Sequence, residues 1–201
     1  MNYNIKDYVS LYKMDEALLK KITSGILKSK KENNKSWGKH SYTIGDTLET
    51  LHYDWEFDVC DLFSTLGKEL SEEMMGFVWE TLRKYCTETN NKLGLENINM
   101  GLSWNGFSTP RINWYDKKTK MNEHFDHISS LFDGERKGIP IFTVLGLVKN
   151  AKKGGEFCMW GEKFLDLVAG DVLVFPSNFM YRHRVNEITE GERISFVSWA
   201  W

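Results

Sequence analysis

The chain has 201 residues, of which 41% are hydrophobic, and a net charge of −2 at pH 7. This length fits a single domain over 1–201, and the hydrophobic content excludes a disordered chain. No apolar run approaches the roughly 18 residues that a membrane helix requires, so we expect no membrane association. A charge so close to zero does not favour nucleic acid as a partner.

The beginning of the sequence lacks the apolar segment of a secretory signal, so we expect a cytoplasmic protein. The cysteines are widely spaced and form no CxxC pair. Because zinc sites and disulfide frameworks depend on such spacings, we expect buried free thiols at Cys60, Cys86 and Cys158.

The first half of the chain, residues 1–95, is predicted to be a helical support region. Apolar residues recur at helical spacing in "DEALLKKITSGIL" (15–27) and in "SEEMMGFVWETLRKYC" (71–86), which indicates two amphipathic helices. Ser71 and the acidic residues after it are typical of a helix N-cap and first turn. Between the helices, "SYTIGDTLETLHYDW" (41–55) has a mixed period and could hold a strand.

The second half, residues 96–201, is predicted to consist of short strands. One segment, "GIPIFTVLGLV", is rich in β-branched and aromatic residues. Two short apolar segments, "EFCMW" and "KFLDLVA", are bounded by glycines, and "DVLVFPS" follows a Gly-Asp turn pair and stops at a proline. In the last segment, "RISFVSWAW", polar and apolar side chains alternate between two faces. The gaps between these segments are too short for the helices of a parallel sheet. We therefore predict a mainly β fold with a helical N-terminal half, an antiparallel jelly roll buttressed by helices.

The stretch "MNEHFDH" (121–127) contains the first candidate site residues. On a strand, His124 and Asp126 share one face, and His127 points to the other. His183 is the only histidine after this stretch and can supply a third ligand. Two histidines and one carboxylate on one side of a metal leave open positions, as in non-heme Fe(II) oxygenases, whereas zinc prefers a tetrahedral set.

Arg193 follows His183 by ten residues and precedes Ser195 by two. An iron that activates oxygen needs a two-electron co-reductant, which a bidentate 2-oxo acid can supply. The distal carboxylate of such an acid requires a fixed cation, and Arg193 suits that task. Ser195 lies on the same strand face and can donate a second hydrogen bond to the carboxylate.

Taken together, His124-x-Asp126, His183 and Arg193-x-Ser195 resemble the signature of the Fe(II)- and 2-oxoglutarate-dependent dioxygenases. The segments "GGEF", "AGDVLVFPS" and "HRVNEITEGERISFVSW" are similar to the prolyl-4-hydroxylase-like branch. The resemblance covers residues 110–201 and implies a double-stranded β-helix with the metal site in the second half. It also implies hydroxylation of an unactivated C–H bond, best fitted by a prolyl or other side chain of a peptide or protein, with release of succinate and CO2.

The resemblance further implies a role for each site residue. Fe(II) would be bound by His124, Asp126 and His183, and 2-oxoglutarate by Arg193, Ser195 and Tyr115. O2 would be the oxidant, with ascorbate as a reductant. Relatives that halogenate carry a small residue at the position of Asp126, so the carboxylate favours hydroxylation. Collagen-type enzymes use lysine at the position of Arg193, which weakens the case for a collagen-like substrate.

Other functions stay open at this point. The same chemistry could act on a nucleobase, a free amino acid or a small metabolite. A zinc hydrolase could instead use His124, His127 and His183, and a non-catalytic jelly-roll module would merely bind a ligand. His40 and His52 are expected to be ordinary polar residues. The pair Gly154–Gly155 is either a plain turn or a close backbone approach beside the pocket.

Overall fold

The structure is a computed structural model that describes residues 4–32, 34–44, 49–51, 53, 55–94, 104–127 and 139–201. The α-helices of this part of the chain are α1 (Glu16–Glu32), α2 (Leu62–Leu66) and α3 (Lys68–Leu93). The strands are β1 (Ser10–Lys13), β2 (Gly38–Lys39), β3 (Tyr42–Ile44), β4 (Glu49–Leu51), β5 (Asp58–Asp61), β6 (Arg111–Tyr115), β7 (Met121–His124), β8 (Phe142–Lys149), β9 (Lys153–Gly154), β10 (Phe157–Met159), β11 (Glu162–Lys163), β12 (Asp171–Pro176), β13 (His183–Val185), β14 (Ile188–Glu190) and β15 (Arg193–Ala200).

Two antiparallel sheets dominate the fold. A seven-stranded major sheet has the order β1-β12-β8-β15-β6-β5-β2, and a four-stranded minor sheet has the order β11-β10-β13-β7. Two small ribbons, β14-β9 and β3-β4, accompany them. The protein is therefore mainly β with helices added, as the sequence predicts.

The major sheet is covered on both faces. Its helix-facing side packs against α1 and α3 through one apolar cluster, which includes Ile22, Val78 and Phe196. Its other side faces the minor sheet through a second cluster, which includes Leu173 and Val185. A sheet buried on both faces needs nearly continuous apolar strands, which explains why β8 and β12 do not show clean alternation.

The first half of the chain contains both predicted helices within α1 and α3, but it also supplies strands. β1, β2 and β5 belong to the major sheet, so residues 1–95 are not a purely helical support region. The N-cap prediction at Ser71 is wrong. The helix begins at Lys68, and buried Ser71 donates its hydroxyl to the carbonyl of Leu62. Gly67, with a φ of 73°, ends α2 and allows α3 to begin directly after it.

The mixed-period segment 41–55 contains the β3-β4 ribbon, while 45–48, His52 and residue 54 lie outside the described residues. In the second half, "EFCMW" and "DVLVFPS" contain β10 and β12, and β12 ends at Pro176. The strand prediction for "KFLDLVA" is wrong beyond Lys163. There the N–H groups of Val168 and Ala169 donate to side chains of Asp171 and Asn150 instead of to a neighbouring strand.

The cysteines are buried and free, as predicted. Among the described helices, none combines the length and the apolar character needed to cross a bilayer.

Candidate metal centre

Two neighbouring strands of the minor sheet bring the histidines together. β7 and β13 run antiparallel, and His124 lies directly opposite His183 in their register. β7 ends at His124, so Asp126 is not on the strand that the sequence predicts. It lies in the following loop, where the N–H groups of Asp126 and His127 both donate to the carbonyl of Ser177. This anchoring, rather than strand alternation, turns Asp126 towards the histidines.

The three side chains form a compact group with one possible ligand atom each. Nε2 of His124 lies 3.4 Å from Oδ1 of Asp126, and Nε2 of His183 lies 3.7 Å from Oδ2. All three ligand atoms lie within 4.8 Å of one another, and no other such group of three occurs among the described residues. Ligand bonds of about 2.1 Å place neighbouring donor atoms about 3.0 to 3.4 Å apart, so small side-chain movements would close this set on one ion.

The tautomers of both histidines follow from their backbone partners. Nδ1 of His124 lies 2.8 Å from the carbonyl oxygen of Asn122, and Nδ1 of His183 lies 3.0 Å from that of Tyr181. A carbonyl oxygen can only accept, so each Nδ1 must carry the proton. In the neutral form of each ring, Nε2 then has a lone pair that faces the carboxylate, which is the state that a metal ligand needs.

The carboxylate of Asp126 accepts a hydrogen bond from the hydroxyl of Thr143, which in turn contacts the hydroxyl of Ser177. Its Oδ2 accepts a hydrogen bond of 2.8 Å from Thr143 Oγ1, which is also 2.9 Å from Ser177 Oγ. All three side chains are buried. A carboxylate oriented in this way needs little reorganisation to bind a cation.

The charges within the group are coupled. Burial alone would raise the pKa of Asp126, but attraction to His183 and the contacts with His124 and Thr143 hold it well below its usual 3.8. Burial lowers the pKa of His183 to about 4, and the charge of His124 acts in the same direction. Burial also opposes the charge on His124, but the contact with Asp126 outweighs it and raises that pKa. At neutral pH, His183 is uncharged and Asp126 is a carboxylate.

His127 does not join this group. Its side chain is exposed, in agreement with the prediction that it points away. The ligand set of the zinc alternative is therefore not assembled. His40 also lies outside the group; it is buried and stacked on Phe57, with ring centroids 4.6 Å apart.

The predicted co-substrate residues meet on the major sheet. Arg193 and Tyr115 face each other in the β15-β6 register, and the guanidinium carbon lies 5.2 Å from the tyrosine ring centroid. Arg193 Nη1 donates to Ser195 Oγ at 2.8 Å. Tyr115 is buried, and burial raises its pKa to about 12, so its hydroxyl keeps its proton.

Arg193 is a buried cation that lacks an anionic partner. Its side chain is 2% exposed, and no carboxylate of the described residues pairs with it. Its Nη2 is buried and has no hydrogen-bond partner in the part of the chain that the structure describes. Because an isolated buried charge is costly, this arrangement is suited to an external carboxylate. Burial also lowers the pKa of Arg193.

Gly154 and Gly155 form a turn and also a close backbone approach, the two alternatives that the sequence left open. Both residues have positive φ, as in a turn. A Cβ on Gly155 would lie 2.4 Å from Ile188 Cδ1 and 3.2 Å from Arg193 Cδ. The backbone therefore approaches the Arg193 side chain closely, and any residue other than glycine would be strained at this positive φ.

Two cavities adjoin these residues. One of about 30 Å³ is lined by the triad together with Arg111, Asn113, Tyr115, Leu145, Val185 and Trp199, among others. It holds about two water molecules. A larger cavity of about 420 Å³ is bordered by Arg193, Phe157 and the segment 150–156.

Sequence reasoning missed Thr143, Ser177, Arg111 and Asn113. The sequence does contain a signal for Arg111 and Asn113, because in "RINWY" these polar residues alternate with apolar ones, which is typical of a strand with one polar face. Thr143 lies within an apolar run, and only the meeting of β8 with the 126–127 loop reveals its role.

Comparisons with known proteins agree with this geometry. Residues 110–201 match the family model described as the 2OG-Fe(II) oxygenase superfamily. The chain is similar to a PKHD-type hydroxylase of Prochlorococcus marinus, with 32% identity over 99 residues that cover 46% of this chain and 44% of the relative. A PKHD-type hydroxylase of Idiomarina loihiensis is 33% identical over 91 residues, covering 44% of this chain and 39% of the relative. The chain thus spans less than half the length of these relatives.

Solved structures extend the likeness of fold beyond residues 110–201. A Pseudomonas putida prolyl-4-hydroxylase superposes with a TM-score of 0.64 at 14% identity, covering 96% of this chain and 91% of that one. A prolyl hydroxylase of Trichoplax adhaerens, solved with a hypoxia inducible factor peptide fragment, gives 0.62 at 12% identity, covering 97% and 84%. The predicted resemblance to the prolyl-4-hydroxylase-like branch is confirmed.

Proposed function

We propose that this protein is an Fe(II)- and 2-oxoglutarate-dependent dioxygenase that hydroxylates an unactivated C–H bond and releases succinate and CO2. The observation that carries the proposal is the pairing of a His-Asp-His group with a buried, anion-free arginine in one sheet sandwich. The superfamily of residues 110–201 and the PKHD-type relatives support it. The best-supported substrate is a prolyl or other side chain of a peptide or protein, since structural neighbours include prolyl hydroxylases.

The residues divide into two groups in this proposal. His124 and His183 would hold the iron through their Nε2 atoms, and Asp126 would hold it through a carboxylate oxygen. Arg193 and Ser195 hold the distal carboxylate of 2-oxoglutarate, because the unused Nη2 offers a charge-assisted hydrogen bond. Tyr115 closes the side of that pocket as a protonated, buried hydroxyl. Iron with 2-oxoglutarate and O2 supplies the oxidant, with ascorbate as an accessory reductant.

The protein's own contribution is orientation and exclusion of water. The backbone carbonyls of Asn122 and Tyr181 fix the histidine rings, and Thr143 fixes Asp126. Phe157 and Phe175 lie beside His183, with ring centroids 5.4 and 5.2 Å away, and give the centre an apolar wall.

We also propose that residues 1–201 form one oxygenase domain on a double-stranded β-helix, with residues 96–201 as its metal-bearing core. The support is that strands from the first half, β1, β2 and β5, complete the major sheet.

The test is an anaerobic titration of metal-free protein with Fe(II) and then 2-oxoglutarate, followed by the visible charge-transfer band. We expect a band only when both are present, none with His183→Ala or Asp126→Ala, and a band that needs more 2-oxoglutarate with Arg193→Ala. The increase should be about tenfold or more, because one charge-assisted contact is lost. Tight zinc binding without any band would refute the proposal.

A further inference from the structure

A short turn leads into His183 and sets the state of its ring. The turn is a single 3-10 helix, Phe179–Tyr181, which Asn178 caps by accepting a hydrogen bond from the N–H of Met180. The carbonyl of Tyr181 then accepts from Nδ1 of His183 at 3.0 Å. The direction of this one carbonyl therefore decides whether Nε2 of His183 offers a lone pair to a metal.

Trp160 binds the carbonyls on both sides of that one. Its indole Nε1–H donates to the carbonyl of Met180 at 2.6 Å, and its backbone N–H donates to the carbonyl of Arg182 at 3.1 Å. The peptide groups before and after the Tyr181 carbonyl are thus fixed by a single residue. With its neighbours held in this way, the Tyr181 carbonyl has little freedom to turn away from His183.

The position of Trp160 in the chain is unusual for a tryptophan. β10 and β11 are joined by a two-residue turn, Trp160 and Gly161, between the paired residues Met159 and Glu162. The φ values of the two turn residues are 58° and 86°, as in a type I′ turn. The first of these positions is usually Asn, Asp or Gly, because a bulky side chain is strained at positive φ. Such strain persists where surrounding contacts enforce it, and it is concentrated at functional sites.

The indole ring also has a fixed place in the packing. Its ring centroid lies 5.0 Å from that of Phe164 and 6.1 Å from that of Tyr181. Nζ of Lys6 lies 5.7 Å from the indole centroid, and the hydroxyl of Tyr181 donates to the carbonyl of Ile5 at 3.0 Å. The indole N–H therefore keeps a constant direction towards the turn.

We propose that Trp160 is a positioning residue of the metal centre, which acts through the carbonyl of Tyr181 on the tautomer and orientation of His183. This role rests on the proposed function, in which His183 is one of the three residues that hold the iron. A tryptophan that served only to close the β10-β11 hairpin would affect stability alone. A positioning residue also changes the state of the ligand ring and the affinity for the metal.

The experiment compares Trp160→Phe with two control variants. Phenylalanine keeps an aromatic ring but lacks the indole N–H. Trp79→Phe makes the same substitution on α3, at a side chain that is 43% exposed. Tyr85→Phe removes a hydrogen bond of 2.8 Å to the carbonyl of Tyr8 from the cluster on the helix side of the major sheet. It therefore lowers stability away from the metal centre.

Two quantities are measured on each variant. The affinity for Mn(II) is obtained from the electron paramagnetic resonance signal of free metal. The tautomer of His183 is obtained from the imidazole ¹⁵N NMR signals of the metal-free protein. We expect Trp160→Phe to bind Mn(II) about tenfold more weakly and to show a mixture of His183 tautomers. The wild type and both controls should show the Nδ1–H form and equal affinities, although Tyr85→Phe should unfold at a lower urea concentration.

Three results overturn the inference. The first is an unchanged affinity for Mn(II) in Trp160→Phe. The second is a weaker affinity with wild-type His183 signals, since the effect would then not act through this ring. The third is an equal loss of affinity in Tyr85→Phe, which would assign the effect to general destabilisation. Failure of the wild type to bind Mn(II) would instead refute the proposed function itself.

A measurement on the wild type covers the case in which Trp160→Phe does not fold. Zn(II) is diamagnetic and takes nitrogen and oxygen ligands, so it serves as the probe for NMR. Coupling between two sites is reciprocal, so bound Zn(II) should slow hydrogen exchange of the Trp160 indole N–H by the same factor of about tenfold. The indole N–H of Trp79 should exchange at an unchanged rate. Equal exchange of the Trp160 indole N–H with and without bound Zn(II) overturns the inference.

Discussion

The variant Thr143→Val tests how the carboxylate of the metal centre is oriented. Valine has nearly the shape of threonine, but it removes the hydroxyl that donates 2.8 Å to Asp126 Oδ2 and lies 2.9 Å from Ser177 Oγ. Thr143 is fully buried, so water cannot replace the lost partner. A hydrogen bond to a charged group contributes about 1.5 to 3 kcal/mol. Asp126 is then free to rotate away from the histidines, and metal affinity should fall by about 10- to 100-fold.

The assay is a titration of metal-free protein with Mn(II), in which free metal is measured by electron paramagnetic resonance. Thr143→Ser is the matched control, because it keeps the hydroxyl and removes only a methyl group. We expect the serine variant to bind Mn(II) much more tightly than the valine variant. If both variants bind Mn(II) as tightly as the wild type, the hydroxyl of Thr143 does not orient Asp126. The hydrogen bond from the Asp126 N–H to the Ser177 carbonyl would then be enough to position this residue.

Three further predictions concern single residues. His127→Ala should leave metal affinity unchanged, because its side chain is exposed, whereas a zinc site built on His127 would lose its metal in the same titration. Gly146→Ala should lower the free energy of unfolding by about 1 to 3 kcal/mol, since its Cβ would lie 1.9 Å from Phe196 Cε1. Gly76→Ala, with open space around the new Cβ, should not lower it. Equal urea midpoints for the two variants would contradict this prediction. Burial lowers the pKa of His40 from 6.5 to about 3, so the unfolded state binds more protons than the folded state between these pH values. The free energy of unfolding should therefore fall as the pH drops through this window. His40→Phe should make this fall smaller, as measured by urea titrations at several pH values.

Several features of this protein follow from local sequence. Helical periodicity defines α1 and α3, because an amphipathic stripe must face a core wherever the helix lies. Alternation in "RISFVSWAW" likewise assigns Arg193 and Ser195 to one face of β15, since the side-chain period of a strand is two. The ordered motif residues identify the chemistry, because each is the type that a metal or a carboxylate requires.

Local patterns misled where long-range partners decide the backbone. "KFLDLVA" has strand composition, but side chains of Asn150 and Asp171 take its backbone N–H groups, so it remains a loop. Asp126 reaches the histidines from a loop that Ser177 anchors, and no periodicity in "MNEHFDH" encodes that contact. The recruitment of β1 and β5 into the major sheet was equally invisible, because short strands are defined by their neighbours.

The sequence by itself therefore predicted the residue types of the candidate metal centre, the candidate anchor arginine and the mainly β class. Only the tertiary structure decided that Thr143 supports Asp126, that Arg193 has no anionic partner among the described residues, and that Arg111 lies over Trp199. The physical reason is the range of the interactions. Periodicity reports which face of an element is buried, whereas hydrogen bonds and charges act between residues that become neighbours only when the sheets assemble.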